Sequence, residues 1–420
     1  MLRYIPAVLI GRFVRVVARM RKPGGGAAIP GVVVNTIAPN FLPRVLNSFA
    51  GGMVVVTGTA GKSTTTRMLA AIVQAHGRRV FTNPSTANIA QGLTSAIIAG
   101  SSISGRIDAD LAILEMDEGH AAKLSARVRP RISVLLNVCI DQVDRFFDPA
   151  IVTNMLATVA ANTVQTLVIN RDDASVGEAA RGAQADRMEF GMSEVLFERE
   201  GEGLGYVTPR RRDAVLVEPT VTLESASGRS AILTFDGQSR SLDLPSSGIH
   251  YGVDVAAAIA GAKSILGPDF DASLAVEVIN RVDPVFGRGE VVTVAGQRVE
   301  CILIQNPTSL RLNTRSLDPA TEQLMFAVGS DVRDYSYLWA AALDGMPAVT
   351  IAAGPKARDV ALHCLYSGVA VADVETDLAS ALDRFLALPA PKHGHKTIIF
   401  SADSMRRTRR HWQLPEQDVA

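Results

Sequence analysis

The stretch VVVTGTAGKSTTTRML, residues 54–69, decides how this chain is read. Its first valines are β-branched residues suited to a buried strand. The strand breaks at Thr57-Gly58, and Lys62-Ser63 opens a threonine-rich helix start. A strict Walker A loop has a glycine five residues before Gly61, where this chain has Val56. The shorter form Thr57-Gly58-Thr59-Ala60-Gly61-Lys62-Ser63 keeps the same physics. Gly58 and Gly61 let backbone N–H groups approach phosphate oxygens, and Lys62 brings a point charge to the terminal phosphates. The Ser63 hydroxyl suits magnesium, and the helix that follows offers its positive end. Thr59 and Thr64 belong to the same nucleotide-binding loop. An ordinary strand–turn–helix junction is the alternative, but it does not require glycines and Lys-Ser at these intervals.

Outward from that loop, short apolar runs alternate with helical patterns: MVVVTG, RVFTN, DLAILEMDE, RISVLLNV and TLVIN. Such alternation predicts an α/β domain, a parallel sheet with helices on both faces. Residues 1–40 read as an N-terminal amphipathic helix and loop, 41–294 as the central ATP-binding domain with a small β insert at 190–245, and 295–420 as a Rossmann-like α/β domain. The alanine-rich helix GVDVAAAIAGAKSIL closes the central domain. The basic, apolar segment LRYIPAVLIGRFVRVVARMRK is interrupted by Arg12 and Arg15 and is too short to span a bilayer. It reads as a helix packed on the main domain with its charges in water; contact with anionic lipid is the second reading. No small-residue cleavage site follows it, so it does not read as a secretory signal.

The 420 residues are 47% hydrophobic and 20% charged, enough apolar material for a sizeable core. Lys+Arg and Asp+Glu are both 42, a balance that argues against a nucleic-acid partner. The cysteines, Cys139, Cys301 and Cys364, form no CxxC pair and read as reduced thiols of a cytoplasmic protein.

Ligands of open α/β sheets sit beyond the carboxyl ends of the strands. Three acidic clusters fall there: Glu115, Asp117 and Glu118; Asn137, Asp141, Gln142 and Asp144; Asn170, Asp172 and Asp173. A carboxylate facing the phosphate loop would hold Mg2+ together with Ser63, and Glu115 is the first choice. Each of these acids can equally be a solvated loop residue.

These residues resemble the Mur ligase family, and within it the MurT branch, over nearly the whole chain. VVVTGTAGKSTTTRMLAAI is similar to the family's nucleotide loop, and NPSTANIAQGLTSAI to its substrate-side loop, with Asn88 in place. DLAILEMDE and SVLLNVCIDQVDRF match its acidic strand ends; VFGRGE resembles its hinge and sets Arg288 near phosphate. IQNPTS and SDVRDYSYLW resemble the C-terminal domain of the MurT branch. The resemblance implies ATP and Mg2+ as cofactors, with Asn170 and Arg288 at the nucleotide and Lys62 and Glu115 catalytic. It implies amidation of a D-glutamyl α-carboxylate in a lipid-linked peptidoglycan precursor at the inner membrane surface. The ammonia would come from a GatD-like glutamine amidotransferase partner, whose histidine Asp334 would orient. Alternatively, Asp334 makes a local network with Asp331 and Arg333.

The chain departs from the family at Ala60, usually asparagine, and at Tyr251 and Asp254, usually two asparagines. Gln142 stands where many members have histidine. No cysteine lies within 190–245, so no zinc is expected there. A stand-alone ligase joining an amino acid to another carboxylate, and a nucleotide-binding scaffold, are the competing functions.

Overall fold

A computed structural model of the chain describes residues 2–21, 28–84, 87–139, 148–210 and 219–415. Asp141, Gln142 and Asp144 lie outside the described residues.

Three helices precede the first strand: α1 (Ile5–Arg21), α2 (Ile29–Ile37) and α3 (Phe41–Leu46). The first sheet then begins as βα repeats. Strands β1 (Met53–Thr57), β2 (Val80–Thr82), β3 (Leu111–Glu115), β4 (Ile132–Leu135), β5 (Thr166–Asn170) and β6 (Asp186–Met192) are joined through α4 (Lys62–Ala75), α5 (Ala90–Gly100), α6 (Glu118–Ser125), α7 (Pro149–Asn162) and α8 (Ala174–Ala179). After α9 (Glu194–Glu200) come β7 (Val221–Ser227), β8 (Ser230–Phe235) and β9 (Gln238–Asp243), then α10 (Ile249–Leu266) and α11 (Ala272–Ile279). The strand order is β2-β3-β1-β4-β5-β6-β7-β8-β9.

The expected parallel sheet is present, and β1, β3, β4 and β5 are buried along their whole length. The expected β insert takes another form. β7 pairs in parallel with β6, and β8 and β9 follow antiparallel, so the segment extends the main sheet. The joining strand β6, DRMEFGM, is exposed at its first two residues and buried only at its last three. That mixed pattern lacks the continuous apolar run that marks the other parallel strands. α10 is buried nearly all round. Its alanines and Gly261 let it lie close against Leu69 and Val134.

The second sheet starts at β10 (Arg288–Val294), a few residues before the boundary expected at 295. It continues with β11 (Gln297–Leu303), β12 (Leu324–Ala327), β13 (Ile351–Ala353), β14 (Val374–Glu375) and β15 (Lys396–Phe400), in the order β10-β11-β15-β12-β13-β14. All pairs are parallel except β10–β11. Helices α12 (Pro307–Ser316), α13 (Ala357–Tyr366), α14 (Leu378–Ala387) and α15 (Ala402–His411) cover it. Two apolar clusters, one around Phe326 and one around Phe385, form its core.

The N-terminal helix packs on the main domain as expected, through Tyr4, Ala7 and Val8 in the cluster that also holds Ile97 and Ile98. Arg12 is not simply hydrated: its guanidinium donates to Ile98 O and Ser101 O, the terminal carbonyls of α5. Among the described residues no helix is long and apolar enough to cross a membrane.

Candidate active site

β1 lies between β3 and β4, so three strand ends open at one place. Register sets Val56 beside Glu115 and Thr57 beside Leu135. The loop after β1 therefore faces both the β3 acids and Asn137.

Two glycines in left-handed conformations shape that loop, Gly58 at φ +137° and Gly61 at φ +82°. A Cβ on Gly58 would meet Asn137 N at 2.8 Å, and one on Gly61 would meet Asp254 Oδ1 at 2.2 Å. Asn137 holds the loop directly. Its Oδ1 accepts from Ala60 N at 2.8 Å, its Nδ2 donates to Ala60 O at 3.1 Å, and its own carbonyl accepts from Thr59 N at 3.0 Å. The Thr59 hydroxyl accepts from Cys139 N at 3.1 Å. Sequence reasoning placed Asn137 in an acidic cluster but gave it no part in the loop; only the strand register reveals it.

Lys62 reaches back across the loop, donating to Gly58 O at 2.5 Å and Thr59 O at 3.0 Å. Its ammonium is 3.6 Å from Glu118 Oε1. Glu118, at the start of α6, is thus the loop lysine's carboxylate neighbour.

Glu115 is 4% exposed. Its Oε1 accepts from Asn88 Nδ2 at 3.3 Å, and Ser63 hydrogen-bonds to the carboxyl. Burial pushes its pKa up, while Lys62, Ser63, Arg288 and Asn88 pull the other way. Asn83 fixes the strand end, accepting from Glu115 N and donating to Glu115 O, both at 3.0 Å. The expected residues Lys62, Ser63, Asn88, Glu115 and Arg288 are therefore brought together. A buried carboxylate beside a hydroxyl is a hard oxygen set that suits Mg2+, and the added positive charge would favour the ionised carboxylate.

Between the two domains a narrow cavity of about 80 Å3 runs past Gly61, Thr64, His250, Asp254, Arg288 and Gln305. Ligand sites generally measure about 300 Å3 or more. As it stands this cavity is smaller than a nucleotide-sized site. Two buried polar atoms on this cavity lack partners, His250 Nδ1 and Arg288 Nε. Buried polar atoms are normally hydrogen-bonded, so both fit a polar ligand group. Burial, aided by Arg288, lowers the His250 pKa to about 4, so the ring is neutral near pH 7. Burial raises Asp254 well above the carboxylate range against the pull of Arg288 and Thr65. The Tyr251 hydroxyl donates to Arg288 O at 3.1 Å and anchors the first strand of the second domain.

Asn170, expected at the nucleotide, is not among the residues brought together here. It is fully buried, its Nδ2 donates to Leu136 O at 2.9 Å and Tyr206 Oη at 3.0 Å, and its Oδ1 accepts from Asp172 N at 3.0 Å. Both ends of the amide hold the strand ends together. The acids beside it are also structural. Asp172 pairs with Arg210 at 2.9 Å, and Asp173 caps α8 and accepts from Val138 N at 2.6 Å.

Asp334 stands apart, exposed at the start of the 3-10 turn Tyr335–Ala340. Its Oδ1 accepts from Ser336 N at 2.9 Å, and the Ser336 side chain first, then this backbone N–H, lower its pKa. The local network read from sequence takes another form: Asp331 accepts from Ser401 Oγ at 2.7 Å and Asp403 N at 3.0 Å. Next to Asp334, Trp339 stacks on His363 at 5.1 Å and meets Tyr366 at 5.5 Å. Leu365 and Tyr366 stand largely exposed on that side.

Residues 56–261 match the Mur ligase middle domain. The chain is 32% identical over 148 residues to the lipid II isoglutaminyl synthase (glutamine-hydrolyzing) subunit MurT of Staphylococcus aureus strain COL, covering 35% of this chain and 33% of that protein. The Streptococcus pneumoniae R6 subunit of the same name is 32% identical over 151 residues, covering 36% and 33%. The match thus spans about a third of the length of these relatives. MurF ligase from Thermotoga maritima, solved with ADP, superposes with a TM-score of 0.66 at 18% identity, covering 91% of this chain and 83% of that one. The chain has the multi-domain Mur ligase fold, and its residues 56–261 match the Mur ligase middle domain.

Proposed function

We propose that this protein is the ligase subunit of an ATP- and glutamine-dependent amidating enzyme of the MurT type. The observation that carries the reading is the convergence of Lys62, Ser63, Glu115, Asn88 and Arg288 at the ends of β1 and β3. A nucleotide-binding scaffold has no need of a buried carboxylate aimed at its phosphate loop. The α-carboxylate of a D-glutamyl residue in a lipid-linked precursor is the proposed acceptor, met at the inner membrane surface. Its oxygen attacks the γ-phosphorus of ATP and ADP departs, leaving an acyl phosphate. Ammonia then attacks the acyl carbon, phosphate leaves, and the amide is formed. Lys62 and Arg288 balance the phosphate charge, Asn88 orients the acceptor, and Ser63 with Glu115 would hold Mg2+. Bound there, Mg2+ supplies charge neutralisation on the transferred phosphoryl group.

Ammonia is supplied by a GatD-like glutaminase docked over Asp334. The exposed carboxylate and the apolar surface of Trp339, Leu365 and Tyr366 beside it support this placement. The test is to co-purify the chain with a candidate glutaminase and measure ATP- and glutamine-dependent amidation of the lipid-linked acceptor. Product requiring both nucleotide and glutamine supports the reading; ATP turnover driven by a free amino acid, with no use of ammonia, supports a stand-alone ligase.

A further inference from the structure

Helix α1 is apolar on two sides. Ala7 and Val8, with Tyr4 just before the helix, are buried against the main domain. The opposite side carries Leu9, Phe13, Val16 and Met20, spaced four, three and four residues apart and therefore aligned on one face. These four are exposed, Phe13 by 70% and Met20 by 80%. The outward face of a helix on a globular domain is normally polar. The neighbouring α2 continues the surface with exposed Ile29, Val32 and Ile37. Between the two helices an open groove of about 420 Å3 is lined by Tyr4, Pro6, Ile10 and Ile37, with the Arg3 guanidinium at its edge.

Charge says what this surface meets. The whole chain is balanced, yet the first acidic residue in the sequence is Asp108, and twelve Lys or Arg precede it. Within that stretch Arg12, Arg15 and Arg19 recur in the sequence at the same three-four spacing as the apolar stripe, offset from it, and Arg12 is held by the carbonyls at the end of α5. An apolar helix face bordered by cations, with no acid nearby in sequence, is complementary to an anionic lipid surface. A second copy is a poor occupant, because a two-fold contact would bring together two copies of a segment that carries Arg and no acid.

Position agrees. α2 packs on α5 where Gly31 N donates to Ser95 Oγ at 2.8 Å, and a Cβ on Gly11 of α1 would meet Ile98 at 2.8 Å. α5 begins two residues after Asn88, whose amide is 3.3 Å from Glu115. The apolar face is therefore built on the element that leads from the acceptor side of the site.

We propose that α1 and α2 form a docking face that lays its apolar stripe into the interface of an anionic bilayer. The inference deepens the reading above and rests on it for the lipid-linked acceptor; the surface itself is argued from exposure and charge.

The experiment is co-sedimentation of the full chain with vesicles of phosphatidylglycerol and phosphatidylcholine, against phosphatidylcholine alone, without ATP or acceptor. The wild type is expected to bind the anionic vesicles and to lose binding as salt rises. Phe13→Glu with Met20→Glu should weaken that binding by roughly tenfold or more, while Phe13→Leu with Met20→Leu keeps it. Both side chains are exposed, so the charged variant should keep its thermal midpoint and its nucleotide binding. Equal binding by the charged variant, equal binding to neutral vesicles, or no binding by the wild type would overturn the proposal. A wild-type oligomer that the charged variant dissociates would assign the face to copies of this chain instead. If vesicles bind as expected but no amidation is found, the ligase reading fails and this one stands.

Discussion

Asn137 clasps Ala60 by both of its main-chain groups, accepting from the N–H and donating to the carbonyl. The anchor of the phosphate loop thus sits on the neighbouring strand end, and residue 60 itself needs no polar side chain. Asn137→Ala removes both bonds and leaves half-buried backbone groups unpaired. The cost should be about 1–3 kcal/mol of stability, with a roughly tenfold or greater loss of nucleotide affinity. Chemical denaturation and titration calorimetry read the two effects, and unchanged affinity would show that the loop holds its shape unaided.

Lys62→Ala should lower ATP turnover by at least about a hundredfold while the fold survives. The lysine's hydrogen bonds to loop carbonyls and its ion pair with Glu118 lie outside the apolar core. Near-normal turnover in a folded variant would remove the phosphate-loop assignment.

Asp334→Asn separates the partner's chemistry from the ligase's. Asn caps a helical turn about as well as Asp, so stability should hold within about 0.5 kcal/mol. With Asp334 in the proposed role, glutamine-driven amidation should fall by roughly a thousandfold or more, as when a serine-protease triad loses its aspartate, while concentrated ammonium restores product. Equal losses with both nitrogen donors would make Asp334 a part of the ligase site, and no loss with either would confine it to capping.

The His250 ring should make the protein sensitive to acid. Its folded pKa, lowered by burial to about 4, lies below the ordinary 6.5, so the unfolded chain binds the proton more readily. The contribution is complete above pH 6.5 and is lost as pH falls from there through about 4. Its ceiling is about 3 kcal/mol, less what solvent reaching the ring screens. Denaturation midpoints at neutral and mildly acid pH, compared between wild type and His250→Gln, should converge as pH falls. Parallel curves would assign the acid sensitivity elsewhere.

What the sequence discloses here depends on the range of the forces involved. β1, β3, β4 and β5 are continuous apolar runs because both their faces are covered, and the phosphate loop is punctuated by glycines; both signals are local. β6 went unread because half of it faces solvent. Asn170 looked like a ligand contact because it ends a strand, yet its amide holds two neighbouring strand ends, a fact set by pairing alone. Asn137 was visible as a residue and invisible as the loop's anchor for the same reason. Periodicity marked α1 as amphipathic and basic, but could not say which apolar side would find the main domain.

Arg288 is tied to the turn that carries Asp334. Its Nη2 donates to Gln305 Oε1 at 3.4 Å, and the Tyr337 hydroxyl donates to Gln305 O at 3.1 Å. Two hydrogen bonds and one residue thus link the guanidinium beside the phosphate loop to the 3-10 turn on the outer surface of the second domain. A protein that grips this turn would meet a residue bonded to the arginine's own partner, Gln305. In the enzyme proposed above, the arrival of the nitrogen donor and the seating of the phosphate become two ends of one lever, and Tyr337→Phe would remove the hydrogen bond to Gln305 that joins them.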